Sequence, residues 1–299
     1  MRCSLSALML FVAAASAQDF FAVEKLLAAG QYRQALAALE GIPSSTARWR
    51  LLASKAFDGL NEPARAVSEA EAGLELDPQN ESLYLQLGQI FLARNTPQPA
   101  YEIFSDAQRF FPDSLLVRLG KGLALKDLQR YEEAEQELLE CRRRKPDFGL
   151  AFDALATVYI QTKRYRDAAR ASEQFLRDNP ADFRGYYYLA AGQDGLKADP
   201  AGAEKLLRRA IQLKPDFAAS HALLGKILLE ADRASEAVLP LEEAVRLRPD
   251  YSPAHYHLAT AYRKLGRRED AAREFQIVSD LKDRERQPAP ALLYHRGKK

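Results

Sequence analysis

Prolines recur at Pro78, Pro112, Pro146, Pro180, Pro215 and Pro249, at intervals of 34, 34, 34, 35 and 34 residues. A fixed beat of that length belongs to a supersecondary unit stacked on copies of itself. Ala66, Ala100, Ala134, Ala168, Ala203 and Ala237 stand twelve residues ahead of those prolines, and Ala35 and Ala271 extend the series outward. Eight units follow, approximately 18–45, 46–80, 81–114, 115–148, 149–182, 183–217, 218–251 and 252–286.

Each unit reads as two helices. With the proline set at position 32, large or apolar residues fall at positions 4, 7, 8 and 11, as in Tyr84, Leu87, Gly88 and Phe91. That spacing is one helical face. A second face runs through positions 20, 24 and 27, as in Ala100, Phe104 and Ala107, or Ala271, Phe275 and Val278. Small residues let the paired helices approach closely, and the proline, which cannot continue a helix, punctuates the unit. Asp113, Asp147, Asp216 and Asp250 follow four of the prolines, where a carboxylate suits the start of the next helix.

The pattern resembles the tetratricopeptide repeat family, whose unit reads W-x2-L-G-x2-Y, then A-x3-F, then P. The residues carrying the resemblance are Trp49 and Leu52; Tyr84, Leu87, Gly88, Phe91, Ala100, Phe104 and Pro112; and Phe152, Leu155, Tyr159, Ala168 and Pro180. The resemblance implies an all-α, right-handed superhelical solenoid of about eight stacked antiparallel helix pairs, with a concave groove. It implies a partner-binding scaffold and no enzyme. The first unit is short and looks like an N-terminal cap.

In this family, positions 2, 5, 9 and 12 of the first helix line the groove. The candidates for gripping a partner are Arg50, Leu85, Gln89, Leu116, Leu119, Leu123, Asp153, Thr157, Tyr187, Lys226 and Tyr256. Leu116, Leu119 and Leu123 form an apolar stripe, while Arg118 and Lys121 fall where packing residues are expected. Either that helix is rotated and the leucines pack, or the stripe binds a partner. Some members grip a C-terminal carboxylate with a Lys and Asn clamp. Here Arg50 pairs with Ser54, and Leu116 and Gly120 occupy the places of its last cations. The sixth unit carries one extra residue in GQDGLKADPAG, and Gln193 replaces its large position-11 side chain, so a local opening is expected there.

Chemistry finds little support. His255 and His257 are adjacent but for Tyr256, yet residues two apart on a helix point about 200° from each other and cannot share an ion. His255 and His221 take position 4, a packing slot, and Cys141 takes a small buried position. No Gly-rich phosphate loop, nucleophile elbow or metal-ligand spacing occurs, so no catalytic residue, cofactor or metal is expected. Lys and Arg number 43 against 41 Asp and Glu, a net charge of +2, too small for the field of a nucleic-acid binder. The basic run Arg142 to Lys145 reads as a helix C-terminus.

Residues 1–17, MRCSLSALMLFVAAASA, have the layout of an export signal with cleavage after Ala17, which predicts a periplasmic or extracellular product with Cys141 as its one cysteine. The apolar run is too short to span a bilayer. The basic tail 287–299, QPAPALLYHRGKK, fits no repeat and reads as disordered, or as a flap in which Leu292, Leu293 and Tyr294 cover the last helix. The expected partner is a protein segment, peptide or helix, bound in the groove. The alternatives are self-association or assembly through the convex face and, further off, an unrecognised enzyme.

Overall fold

The computed structural model describes residues 20–43 and 45–286; the signal-like segment 1–17 and the tail 287–299 lie outside the described residues. All described regular structure is helical, and the chain divides within one helix into two compact units, the first running to Glu137 and the second beginning at Leu138. The first unit contains α1 (20–28), α2 (Tyr32–Glu40), α3 (Ala47–Gly59), α4 (Pro63–Leu76), α5 (Glu81–Ala93), α6 (Pro97–Phe110), α7 (Leu115–Asp127) and the start of α8 (Tyr131–Arg144). The second contains the rest of α8, then α9 (Gly149–Gln161), α10 (Tyr165–Asp178), α11 (Phe183–Leu196), α12 (Pro200–Leu213), α13 (Ala218–Glu230), α14 (Ala234–Leu247), α15 (Ser252–Lys264) and α16 (Arg268–Arg286). Each unit is a stack of antiparallel helix pairs.

A left-handed residue ends every first helix at the same register. Asn61, Asn95, Gln129, Lys163, Lys197, Asp232 and Gly266 all have φ between 53° and 76°. The amide that follows reaches back to a carbonyl five residues earlier, as in Thr96 to Phe91 (3.0 Å), Arg164 to Tyr159 (2.8 Å) and Arg267 to Tyr262 (2.9 Å). This closes the helix on its own orphan carbonyls. The next residue opens the second helix, and in four units it is an arginine bound to the acid three residues on: Arg130 to Glu133, Arg164 to Asp167, Arg233 to Glu236 and Arg267 to Asp270.

The next first helix starts three residues after the proline, so its cap position lies two after it, one later than the Asp residues that follow the proline. Thr46, Asn80, Ser114 and Asp182 cap α3, α5, α7 and α11, whereas Asp113, Asp147, Asp216 and Asp250 lie outside the cap position. At α9, α13 and α15 the cap position holds Phe148, Phe217 and Tyr251, and no side-chain cap forms. Those three helices forgo about 1 kcal/mol of capping each. Phe217 instead packs between Phe183 and Tyr187, with ring centroids 4.9 Å and 5.1 Å away.

Position 4 ties one repeat to the next. Its polar tip meets the carbonyl of the preceding proline in five units: Tyr84 to Pro78 (3.3 Å), Arg118 to Pro112 (3.2 Å), Tyr186 to Pro180 (2.9 Å), His221 to Pro215 (2.8 Å) and His255 to Pro249 (2.9 Å). Proline removes a donor and leaves this acceptor at the turn, and the next repeat satisfies it. His221 and His255 are therefore buried structural residues. In three of the four units where position 4 is charged or imidazole, a glutamate nineteen residues on receives it: Arg50 with Glu69, Arg118 with Glu137, His255 with Glu274; His221 has Pro240 at that distance.

Candidate partner-binding surfaces

The candidate residues separate once side chains are placed. In the first unit, Leu116 is 50 % exposed, Gln89 is exposed, Leu85 and Leu123 are half-buried, and Leu119 is buried at 6 %. The three leucines thus do not form one open stripe. Leu119 belongs to the packing, and Leu116 alone stands out in solvent. The misfit cations explain the difference. Arg118 and Lys121 keep their packing positions because both reach Glu137 on α8, at 2.5 Å and 2.8 Å, with Gln108 accepting from Lys121 at 2.8 Å.

Arg50 requires a correction of register. Counting from Pro78, it occupies position 4, and its 2.6 Å pair with Glu69 repeats the Arg118 and His255 geometry. Ser54 then takes position 8, fully buried and donating to the Ala66 carbonyl at 2.7 Å. Trp49 takes position 3, one residue before Arg50, and its indole donates to the Leu39 carbonyl at 3.0 Å.

In the second unit, Asp153, Thr157 and Tyr187 come together on α9 and α11. The Tyr188 hydroxyl donates to Asp153 at 3.1 Å and lies 2.7 Å from the Thr157 hydroxyl, which also meets the Asp153 carbonyl. The Tyr187 ring stands edge-on to Tyr188 at 4.9 Å. Burial raises both phenol pKa values, and the Asp153 carboxylate raises them further. The result is a carboxylate held among packed aromatic rings, with Tyr188 buried and Tyr187 partly so. Tyr256, on α15, is 49 % exposed and touches Phe275 edge-on.

Lys226 is bound to Asp194 at 2.5 Å and lies 3.6 Å from Glu230, while Lys197 reaches Glu230 at 2.7 Å. These charges border a cleft of about 210 Å3 lined by Gln193, Asp194, Lys197, Pro200, Ile227, Glu230 and Ala231. The cleft sits where the extra residue of the sixth unit falls. Elsewhere one residue separates the left-handed turn from the second helix; here Ala198 and Asp199 both do, and Asp199 caps α12 through the Gly202 amide.

His257 borders the same charges. Burial lowers its pKa below the ordinary value of 6.5, and the Lys226 ammonium lowers it further, against the opposing carboxylates of Glu230 and Asp194. The unfolded chain therefore takes the proton more readily than the folded one. His257 contributes its full stability above the unfolded pKa and loses it as pH falls through the folded value. Between about pH 7.5 and about pH 5.5, the melting temperature of the native chain is expected to fall further than that of His257→Gln. Equal falls would contradict the assignment.

Among the described residues, no group of three or more His, Cys, Asp or Glu side chains is placed to hold a metal ion, and no helix is long and apolar enough to cross a membrane. Cys141 is a buried thiol. Arg143 and Arg144 close α8 against Glu140, holding that carboxyl at about 2.

A tetratricopeptide repeat family model matches residues 117–148, and a family model described as a bacterial transcriptional activator domain matches residues 151–295. No curated protein sequence matches the chain. Among solved structures, a tetratricopeptide repeat protein from Parabacteroides merdae is similar, at 15 % identity and TM-score 0.64, over 79 % of this chain and 93 % of that one. A chain of the APC/C hetero-tetramer Cut9-Hcn1 is similar at 17 % identity and TM-score 0.61, over 80 % of this chain; the match spans about half, 48 %, of that longer chain. A thermophilic TPR protein of Thermus thermophilus is similar at 21 % identity and TM-score 0.50, over 57 % of this chain and 96 % of that one. At these identities the likeness is one of fold. The chain has the helix-pair repeat architecture of tetratricopeptide proteins.

Proposed function

We propose that the chain is a non-enzymatic scaffold that holds a segment of another protein against the first helices of its repeats. The observation that carries this reading is the exposure of apolar and aromatic side chains at the groove-lining positions. Leu116 in one unit, and Leu150 and Tyr256 in the other, are each about half exposed, at 50 %, 51 % and 49 %. Large apolar groups on a stable helix face mark a partner surface when they recur in register. The tetratricopeptide fold supports a protein partner, and the net charge of +2 gives no support to a nucleic-acid one.

Photo-crosslinking residues placed at Leu116, Leu150 and Tyr256 test the reading against a control at Leu239, a second-helix residue 75 % exposed. Cross-links to a partner from the first three sites and none from Leu239 are expected. Capture through Leu239 alone would favour the outer-face assembly reading.

Export rests on the sequence MRCSLSALMLFVAAASA and its small residues at Ala15 and Ala17. The mature chain should then begin at Gln18, a point that N-terminal sequencing of an exported fraction decides.

A further inference from the structure

The His255 side chain is only 4 % exposed, and both of its ring nitrogens meet acceptors. Nδ1 lies 2.6 Å from the Glu274 carboxylate on α16, and Nε2 lies 2.9 Å from the Pro249 carbonyl. A neutral imidazole has one N–H, so it satisfies one of these contacts and turns a lone pair on the other; the imidazolium donates from both. Moving a proton onto Glu274 changes its place and not the count. The two contacts need two protons either way.

The fourth unit makes the same pair of contacts with a permanent cation. Arg118 donates to the Pro112 carbonyl at 3.2 Å and to Glu137 at 2.5 Å. Lys121 and Gln108 share that glutamate, whereas Leu258 and Val245 hold the corresponding positions in the last unit. His255 is thus the one basic group bonded to Glu274 among the described residues. Other charges on the helices packed against α15 are engaged elsewhere. On α14, Glu242 accepts from the Tyr262 hydroxyl and Glu243 pairs with Arg246; on α13, Lys226 and Glu230 pair with Asp194 and Lys197; on α16, Asp270 pairs with Arg267 and Arg273. His221 gives the contrast within the chain. Its slot has Pro240 in place of the glutamate, and its Nε2 meets the Pro215 carbonyl at 2.8 Å, a contact that one N–H satisfies.

We propose that His255 is a proton-operated latch on the last helix pair: as imidazolium it ties α15 both to α16 and to the turn at Pro249, and loss of its second proton as pH rises releases one tie. Arg50 and Arg118, in the same slot, keep their charge throughout. Because the folded chain holds this proton through two bonds, the stability it gives is present at neutral and mildly acidic pH and is lost as pH rises. Tyr256, the next residue on α15, loses its fixed footing with it. That consequence rests on the scaffold reading, whereas the latch does not.

The ring nitrogens are read directly by NMR of the full chain labelled with 15N at histidine. Two protonated nitrogens on His255 are expected at about pH 6.5, giving way to one protonated and one bare nitrogen by about pH 9. A bare nitrogen already at the lower value, or two protonated ones still at the higher, overturns the proposal. Melting supplies a second readout. Over the same range the native chain is expected to lose about 2–4 °C more than His255→Arg, which makes the charge permanent. If that variant does not fold, His255→Gln replaces it; it should melt below the native chain at about pH 6.5, by a margin that shrinks by about pH 9. A margin constant with pH in the folded variant means packing alone and overturns the latch. Cross-linking from Tyr256 should fall as pH rises while that from Leu150 holds. Failure of both cross-links at every pH, with the nitrogen and melting results as expected, would count against the scaffold reading alone.

Discussion

Phe104→Ala is expected to destabilise the first unit by about 3–5 kcal/mol, the cost of emptying a buried aromatic site. The ring is 3 % exposed and wedged between two helices that carry glycine where it passes. A Cβ added at Gly88 on α5 would lie 2.2 Å from Phe104 Cζ, and one at Gly120 on α7 would lie 2.3 Å from it. The site is shaped from both sides and collapses poorly. Trp49 is the one tryptophan of the chain and lies in the first unit, so its fluorescence reports this unit selectively. In a stack whose repeats contact mainly their neighbours, the tryptophan transition should move to lower urea while the second unit's unfolding stays in place. A loss below about 1 kcal/mol would mean the neighbours repack into the space. Gly88→Ala probes the opposite fault. Alone it overpacks, at about 1–3 kcal/mol; in a Phe104→Leu background the ring it strikes is gone, and a double-mutant cycle should show the two changes coupled.

The pairing of a small residue with a large one was legible in the sequence because it repeats. Gly88 and Phe104 recur as Gly225 and Leu241, where an added Cβ would again lie 2.3 Å from the opposing side chain. The prolines and alanines marked the helix pairs for the same reason. Helix closure was hidden, since the left-handed position holds Asn61, Gln129, Lys163 and Asp232 as readily as Gly266. The backbone bond from the next amide stabilises that turn, and it leaves little trace in residue type. The proline carbonyl bond to position 4 was hidden too, because tyrosine, arginine and histidine all satisfy it.

The candidate surface was legible in part. Tyr256 and Leu116 project as the repeat register directs, but Leu119 turned inward and Arg50 proved to be one position out. A one-residue slip rotates a helical side chain by about 100°, enough to exchange a packing face for an open one. The glutamates would have fixed the register, because Glu69, Glu137 and Glu274 each lie nineteen residues after a polar position 4. The cleft at Gln193 announced itself as a broken interval and a polar residue in an aromatic slot.

Those glutamates set the second large effect. Glu137→Leu is expected to cost about 3–5 kcal/mol, also read through Trp49 fluorescence. One carboxylate serves two cations there, Arg118 on Oε2 at 2.5 Å and Lys121 on Oε1 at 2.8 Å, and side-chain exposures are only 14 % for Glu137, 15 % for Arg118 and 18 % for Lys121. Removing the acid leaves two like charges side by side, with the Arg118 Nε already lacking a partner. That penalty measures abandoned cations and not the net worth of the network. Removing all three charges together, as Arg118→Leu, Lys121→Met and Glu137→Leu, should therefore restore most of the loss or exceed the native stability, since packed apolar groups of similar size often match a buried ion network. If the triple variant is as unstable as Glu137→Leu, the loss comes from packing and not from unpaired charge. If it recovers while the cross-links from Leu116 change, the charges hold α7 in the register that presents that leucine.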